Sequence, residues 1–453
     1  MHKSFYTVVS VLVGFFHSNG CATSAGTAPD SGASRGDASD GSSGGGSGSS
    51  GGSGSSSGSG SGSSSGGSSG GGSGGSSGRL ADAGGSGGGD NWLSTPTPPN
   101  SAGNFPFPQD RRSANCTYPT TISHARVLAA YQAWLSTMLT TSGAGGNERV
   151  QDPGSPISGG TTSEGVAYGM LITLYMADKP HFDKLWAYAQ AHMSSGLMSW
   201  HIDANGNVVD PHSASDADED MGWALVMADY QWPGGAYRSA ATTLIGNIKS
   251  QDINGSNNVK DGDYMSNSTH PDYAAPNEYK VFASVTGDSS WNAVYSAEYS
   301  QLTSAQNAST GLIPDAIGGG TFGYDACRAP WRVGLDYCWS AAPEAKTFLT
   351  PMVAEFMQLS QNGAAVNGVK IPMPISGGAG QGNPSGAITG PAAIAAMMSP
   401  SNQKFIDNSS VYLYQLINNA TLSGSPNYFS STLGLISYLA LSGNFIDYSN
   451  PPH

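Results

Sequence analysis

Between Ser123 and Leu441, apolar residues recur at helical spacing in twelve successive segments, and almost nothing between them alternates with the two-residue period of a strand. A chain built this way must bury each apolar stripe against another helix, which restricts it to an all-α architecture of packed helical hairpins. The predicted helices are Ser123–Thr141, Glu164–Met176, Pro180–Met193, Ala214–Tyr230, Gly235–Ser250, Pro276–Thr286, Ser290–Ala308, Ala329–Ser340, Pro343–Gln361, Gly390–Met398, Asn402–Asn419 and Tyr428–Leu441. The stretch Leu197–Ile202, the Asn205-Gly206 turn and Val208-Val209 read as a single small β-hairpin.

Nearly all bulky apolar residues follow Phe105, so residues 105–453 are expected to form one folded domain. Ahead of it, residues 21–104 are dominated by Gly and Ser and then by Pro. Such a segment buries too little surface to offset its ordering entropy and is expected to be a disordered tether. About 70 such residues span roughly 45 Å r.m.s.. Residues 1–20 read as a signal peptide, with a basic start and an apolar run from Phe5 to Phe16 too short to cross a bilayer. Cleavage before Cys21 would leave a lipidated, membrane-anchored chain, although Ser18-Asn19-Gly20 lacks the usual aliphatic residue; cleavage after Ala25 would leave a soluble one. Either outcome implies an extracellular or cell-surface location.

The four cysteines are Cys21, Cys116, Cys327 and Cys338. Cys327 and Cys338 are separated by a predicted helix of roughly 16 Å, which disfavours a bond between them. Cys116 paired with one or the other is the expectation. No Cys/His spacing fits zinc, and neither a metal nor another cofactor is implied. A formal charge of −14 argues against nucleic acid and polyanions as partners, while leaving neutral polymers unaffected and favouring cationic ones.

In a chain with only 11% charged residues, three acidic motifs stand at predicted helix entrances beside aromatics. Glu164 opens a helix; a capping box with Thr161 is one reading. The other is a partly desolvated carboxyl kept protonated to act as a general acid. Asp216, Asp218, Glu219 and Asp220 crowd one helix N-terminus, with Ser213 or Ser215 as candidate caps. A solvated acidic first turn would explain them; so would a carboxylate that grips hydroxyl groups. Asp325 precedes a helix, and Arg328 could pair with it and hold it ionised as a general base. Two such carboxyls suffice to hydrolyse a glycosidic bond without a cofactor.

These segments resemble glycoside hydrolase family 8 in its endoglucanase-type branch. Ala214-Ser215-Asp216-Ala217-Asp218 through Trp232 follows the family signature, departing at Gly222 where Ala is usual. Thr162-Ser163-Glu164-Gly165 resembles the general-acid segment, Tyr324-Asp325-Ala326-Cys327-Arg328 the general-base segment, Pro271-Asp272-Tyr273 the subsite loop and Tyr428-Phe429 the start of the last barrel helix. The resemblance implies an (α/α)6 barrel with an open substrate cleft. It further implies inverting hydrolysis of a β-linked polysaccharide, with Glu164 as acid, Asp325 as base and Asp216 holding the sugar. Asp218, Trp200, Tyr273, Tyr324, Arg328, Trp331 and Tyr428 are the candidate substrate-binding residues, Trp223 a further aromatic. An endo-β-1,4-glucanase, monomeric and acting on cellulose-like or mixed-linkage glucan, is the leading expectation. Chitosanase and xylanase activities occur in the same family. A non-catalytic polysaccharide-binding barrel would be expected to lack an acid or a base, and both positions are filled here.

Overall fold

A computed structural model describes residues 97–154, 157–418 and 428–452. The expected signal peptide, Cys21 and residues 21–96 of the expected tether lie outside them. Among the described residues there are twelve α-helices: α1 (His124–Met138), α2 (Ser163–Tyr175), α3 (Lys179–Ala191), α4 (Ser215–Gln231), α5 (Tyr237–Gln251), α6 (Pro276–Thr286), α7 (Trp291–Ala305), α8 (Ala329–Ser340), α9 (Pro343–Leu359), α10 (Gly386–Ala396), α11 (Gln403–Asn418) and α12 (Tyr428–Leu441). α10 starts four residues earlier than its periodicity suggested, because Ser385 caps it and Pro391 is accommodated inside it. Asn419, the last residue of the expected eleventh helix, lies outside the described residues.

The even-numbered helices form a closed inner ring: α2 packs on α4, α4 on α6, and so on through α12, which returns to α2. The odd-numbered helices pack outside, α3 on α2, α5 on α4, α7 on α6, α9 on α8, α11 on α10 and α1 on α12. This is the (α/α)6 barrel. Sequence character follows position. Every residue of α10 and α12 is buried, as expected of helices that are apolar on all faces. Outer α3 buries only Phe182, Leu185, Tyr188 and Ala189, one narrow stripe. At Gly222 a methyl group would meet Phe282, Ile245 and Ile248 at 3.3–3.5 Å, so the departure from the signature concerns packing between α4 and its neighbours.

The hairpin expected near residue 200 forms around the Asn205-Gly206 turn, but only from His201–Ile202 and Val208–Asp210, and it is part of one of two small sheets here. Leu197–Met198 pairs with Met193–Ser194. His201–Ile202 is the central strand of a second sheet, between Thr161–Thr162 and Val208–Asp210. Asp203 Oδ1 accepts the amides of Asn205 and Asn207 and closes the turn that carries Gly206 at φ 89°.

The inner helices all begin at one end of the barrel, where the acidic motifs lie. At the other end, residues 101–117 run past the ends of α2, α4, α8, α10 and α12. Ser101 donates to Ala177 O, Asn104 to Gln231 O, Arg111 to Gly443 O and Thr117 to Met397 O. Phe105 stacks on Tyr448 at 4.1 Å, and Cys116 is bonded to Cys338 at the end of α8. Asn100–Asn104, placed in the tether by composition, are therefore tied to the barrel by backbone and side-chain hydrogen bonds. Cys327 is free and buried.

Candidate active site

Every residue of α2 is buried except Glu164. The N-cap is Thr162, whose hydroxyl accepts the Gly165 amide at 3.1 Å, rather than Thr161, which turns to Val150 O. The capping-box reading therefore fails. Glu164 falls at the second helical position, and its carboxyl is free to point at the barrel axis. There Tyr428 donates to Oε1 at 2.8 Å and Arg328 Nη1 to Oε2 at 2.5 Å. Gly165 makes room for this: a methyl group there would stand 3.2 Å from both the ring and the hydroxyl of Tyr428.

Arg328, 1% exposed, is the hub. It ends the 3-10 turn Ala326–Arg328 that leads into α8 and binds four carboxylates from four parts of the chain. Besides Glu164, Nη1 reaches Asp216 at 2.7 Å, Nη2 reaches Asp325 at 3.1 Å, and Nε and Nη2 converge on Asp272 at 2.9 and 2.8 Å. The two Nη atoms of a planar guanidinium are about 2.3 Å apart, so the bound oxygens of Glu164 and Asp325 stand at most about 8 Å from each other. Side-chain exposure separates the four: Glu164 retains 14% and Asp325 10%, against 3% for Asp216 and 0% for Asp272. Asp216 Oδ1 is buried without a hydrogen-bond partner, an acceptor aimed at nothing among the described residues.

One guanidinium cannot neutralise so many carboxyls, and proton affinities rise accordingly. Burial, aided by Asp216, pushes Glu164 up to about 7 against the pull of Arg328 and Tyr428. Burial likewise holds Asp325 well above the ordinary carboxylate range; Arg328 opposes this, but Asp272 and Asp315 add to it. The expected Arg328–Asp325 pair is present at 3.1 Å and favours the ionised form, but burial outweighs it. Asp315 braces the Asp325 loop by accepting the amides of Gly323 and Ala326 at 2.8 and 2.9 Å.

Below this layer lies a second one that sequence reasoning missed. Arg332, also 1% exposed, donates to the backbone carbonyls of Tyr273 and Asp216 at 3.1 and 3.3 Å and is anchored on Asp220 at 2.7 Å. Burial pushes Asp220 up to about 6. The signal for it was present: Arg328 and Arg332 are one turn apart on a helix whose inner face had to be buried, so both required acidic partners.

Several expected binding residues are elsewhere. Asp218 is fully buried, accepts the Met198 amide at 3.3 Å and faces Asp252, away from Arg328. Trp331 is 2% exposed and packs edge-on against Tyr168 and Phe445 in the core. Trp223 donates to Tyr175 and stacks on Trp339. Neither tryptophan is available to a ligand. Ser213 and Ser215 do not cap α4, which has no side-chain cap; Ser213 turns to Asp252. Tyr428 meets Glu164 itself, and the Tyr273 ring lies 5.1 Å from the Arg328 guanidinium. Tyr324 is half-buried against Phe429. Trp200 stays beside the site, half-buried, its carbonyl accepting the Ser163 amide at 2.9 Å.

A barrel that brings two partly exposed carboxyls together over its helix entrances has the groups that glycoside hydrolysis requires. Residues 105–443 match the profile of glycosyl hydrolases family 8, and the chain belongs to that family. It is 33% identical over 377 residues to Endoglucanase C of Ruminiclostridium cellulolyticum, covering 78% of this chain and 80% of that one. It is 35% identical over 343 residues to Endoglucanase A of Acetivibrio thermocellus, covering 71% and 70%. Among solved structures, the apo β-1,3-1,4-glucanase from Paenibacillus sp. X4 superposes with a TM-score of 0.68 at 28% identity, covering 75% of this chain and 98% of that one.

Proposed function

We propose that this glycoside hydrolase is an endo-acting, inverting β-1,4-glucanase that cleaves cellulose-like or mixed-linkage β-glucan outside the cell, as a monomer. The observation that carries the reading is the convergence of Glu164 and Asp325 on one buried guanidinium, these two being the most exposed of its four carboxyl partners. Their separation limit of about 8 Å reaches into the ~6.5–9.5 Å range in which a water fits between acid and base. Glu164, holding its proton to about pH 7, donates to the leaving glycosidic oxygen. As its negative charge develops, Arg328 and Tyr428 are already in place to receive it. Asp325 takes a proton from the water attacking the anomeric carbon from the opposite face, and its raised proton affinity makes it the stronger base. Asp216 Oδ1 accepts a sugar hydroxyl in the central subsite.

The names of the relatives support a glucan substrate. The net charge of −14 favours chitosan as the runner-up. Export rests on the apolar run after Lys3, with anchoring through Cys21 if cleavage falls there. The test is anomeric product analysis by NMR on barley glucan, carboxymethylcellulose, xylan and chitosan. An α-anomer released first from the glucans is expected; no release from either glucan would overturn the substrate, and a β-anomer the stereochemistry. Glu164→Gln and Asp325→Asn should each lower kcat by orders of magnitude in a folded protein.

A further inference from the structure

The proposed base shares its arginine with three other carboxyls. Glu164, Asp216, Asp272, Asp325 and Asp315 crowd around Arg328, yet Asp325 must be ionised when substrate arrives. A second cation close by would favour its ionised form. His270 stands at the entrance of the 3-10 turn Pro271–Tyr273, the turn that carries Asp272 to Arg328. Its side chain is 9% exposed and its Nδ1 lies 3.3 Å from Asp261 Oδ2. Asp261 is locked in turn by the Thr269 and His270 amides at 2.8 and 3.1 Å and by the Thr269 hydroxyl. The imidazole stacks on Tyr273 at 5.2 Å, the ring that also lies 5.1 Å from the Arg328 guanidinium. It thus belongs to the same packed layer as the four carboxylates.

We propose that His270 is a positioning residue for the reaction: a charged imidazolium, clamped by Asp261, that supplies the second positive charge facing Asp325 and keeps that carboxylate ready to accept a proton. The proposal rests on Asp325 being the base. The imidazole is paired with Asp261, stacked on Tyr273 and within the electrostatic reach of Asp272 and Asp325; Asp325 is paired with Arg328 and within that of Asp272, Asp315 and His270. Burial works against the imidazolium, but Asp261, Asp272 and Asp325 outweigh it and push His270 up to about 9. Asp261 remains ionised below its ordinary range, since its bonds to His270 and Thr269 more than offset burial. The ion pair therefore persists up to about pH 9.

The experiment compares pH profiles of kcat/KM for wild type, His270→Asn and His270→Lys on whichever glucan the wild type hydrolyses. Removing a neighbouring cation raises a carboxyl pKa by about one unit or more. The acid limb of His270→Asn should therefore move to higher pH, about tenfold lower kcat/KM at a pH on that limb, with the plateau little changed. His270→Lys should restore it. A uniform fall at every pH with the limb unmoved would mark a merely structural role and overturn the proposal. The second readout needs no turnover. The His270 ring proton, followed by NMR in the whole protein, should titrate near 9, and at lower pH in Asp325→Asn, because coupling between two sites is reciprocal. A midpoint below 7, or one indifferent to Asp325→Asn, would overturn the pairing. Near-normal hydrolysis by Asp325→Asn would remove the base assignment, a failure seen on that variant alone.

Discussion

Replacing Arg328 by Met tests the electrostatic account of the site through stability, without reference to any substrate. Methionine fills a similar volume and leaves Glu164, Asp216, Asp272 and Asp325 without the cation they share at 2.5–3.1 Å. Breaking one buried pair by removing a partner costs about 3–5 kcal/mol, so that is the expected loss at pH 8. The sign with pH follows from linkage. A carboxyl whose folded pKa is raised above its unfolded value loses stability as pH climbs from the unfolded towards the folded value, and is level above it. Without Arg328 the folded pKa values of Glu164 and Asp325 rise further, since the arginine is the lowering influence on both. The variant therefore holds about one more proton than the wild type across the neutral range, worth roughly 1.4 kcal/mol for each pH unit of descent. Between pH 8 and pH 6 the deficit should shrink by about 2–3 kcal/mol. Urea unfolding followed by tryptophan fluorescence at both pH values, with Arg328→Lys as a charge-preserving control, measures it. A deficit that is equal at the two pH values, or below about 1 kcal/mol at pH 8, would refute the shared-cation picture.

Three further outcomes follow from the same geometry. The kcat/KM profile should be bell-shaped, falling on the alkaline side with a midpoint near pH 7 as Glu164 loses its proton, and on the acid side above the ordinary aspartate range as Asp325 gains one; activity that keeps rising past pH 9 would exclude Glu164 as the acid. Gly165→Ala places a methyl group 3.2 Å from Tyr428 and should cost about 10–100-fold in kcat by displacing that hydroxyl from Glu164; unchanged kcat in steady-state assays would show that the contact is dispensable. Cys116→Ser opens a cross-link spanning 222 residues, worth about 2–5 kcal/mol in denaturant unfolding, with activity at 25 °C unaltered because the bond lies at the end of α8 remote from Arg328. Loss of activity without loss of stability would contradict that placement.

The helical periodicity between Ser123 and Leu441 disclosed twelve helices, because an inner helix buried on all sides and an outer one buried on a stripe both carry apolar residues at the 3.6-residue period. It did not disclose ring closure, which depends on contacts between α12 and α2 over more than 250 positions. The acidic motifs disclosed Glu164, Asp216 and Asp325 because carboxyls at helix entrances are conspicuous in a chain so poor in charge. Asp315 and His270 were not singled out, and Asp272 only as part of the Pro271-Asp272-Tyr273 loop: none lies in a predicted helix, and only the fold brings them towards Arg328. Asp218 misled for a geometric reason. A residue one or two positions from a site residue on a helix points some 100–200° away from it, so Asp218 faces Asp252 while Asp216 faces Arg328.

The polarity of the barrel explains why such a carboxyl cluster is tolerated at all. Glu164 is in the first turn of α2, Asp216 in the first turn of α4, Asp272 and Asp325 just before α6 and α8, and Tyr428 opens α12. The start of α10 joins them, its Gly386 amide donating to Ser430 at 2.7 Å. Six N-termini, each equivalent to roughly half a positive charge, thus face the layer in which carboxyls outnumber Arg328 and His270. The opposite end presents the complementary problem, since the last carbonyls of each inner helix lack intrahelical donors. Residues 101–117 supply donors there: Ser101 to Ala177, Asn104 to Gln231 and Tyr230, Thr117 to Met397 and Arg111 to Gly443. The two ends answer one constraint, parallel helices in a closed ring, by placing acids where amides are unpaired and a donor-bearing strap where carbonyls are. Glu164 and Asp325 can then be held at low exposure, with raised proton affinities, without unfolding the barrel that holds them.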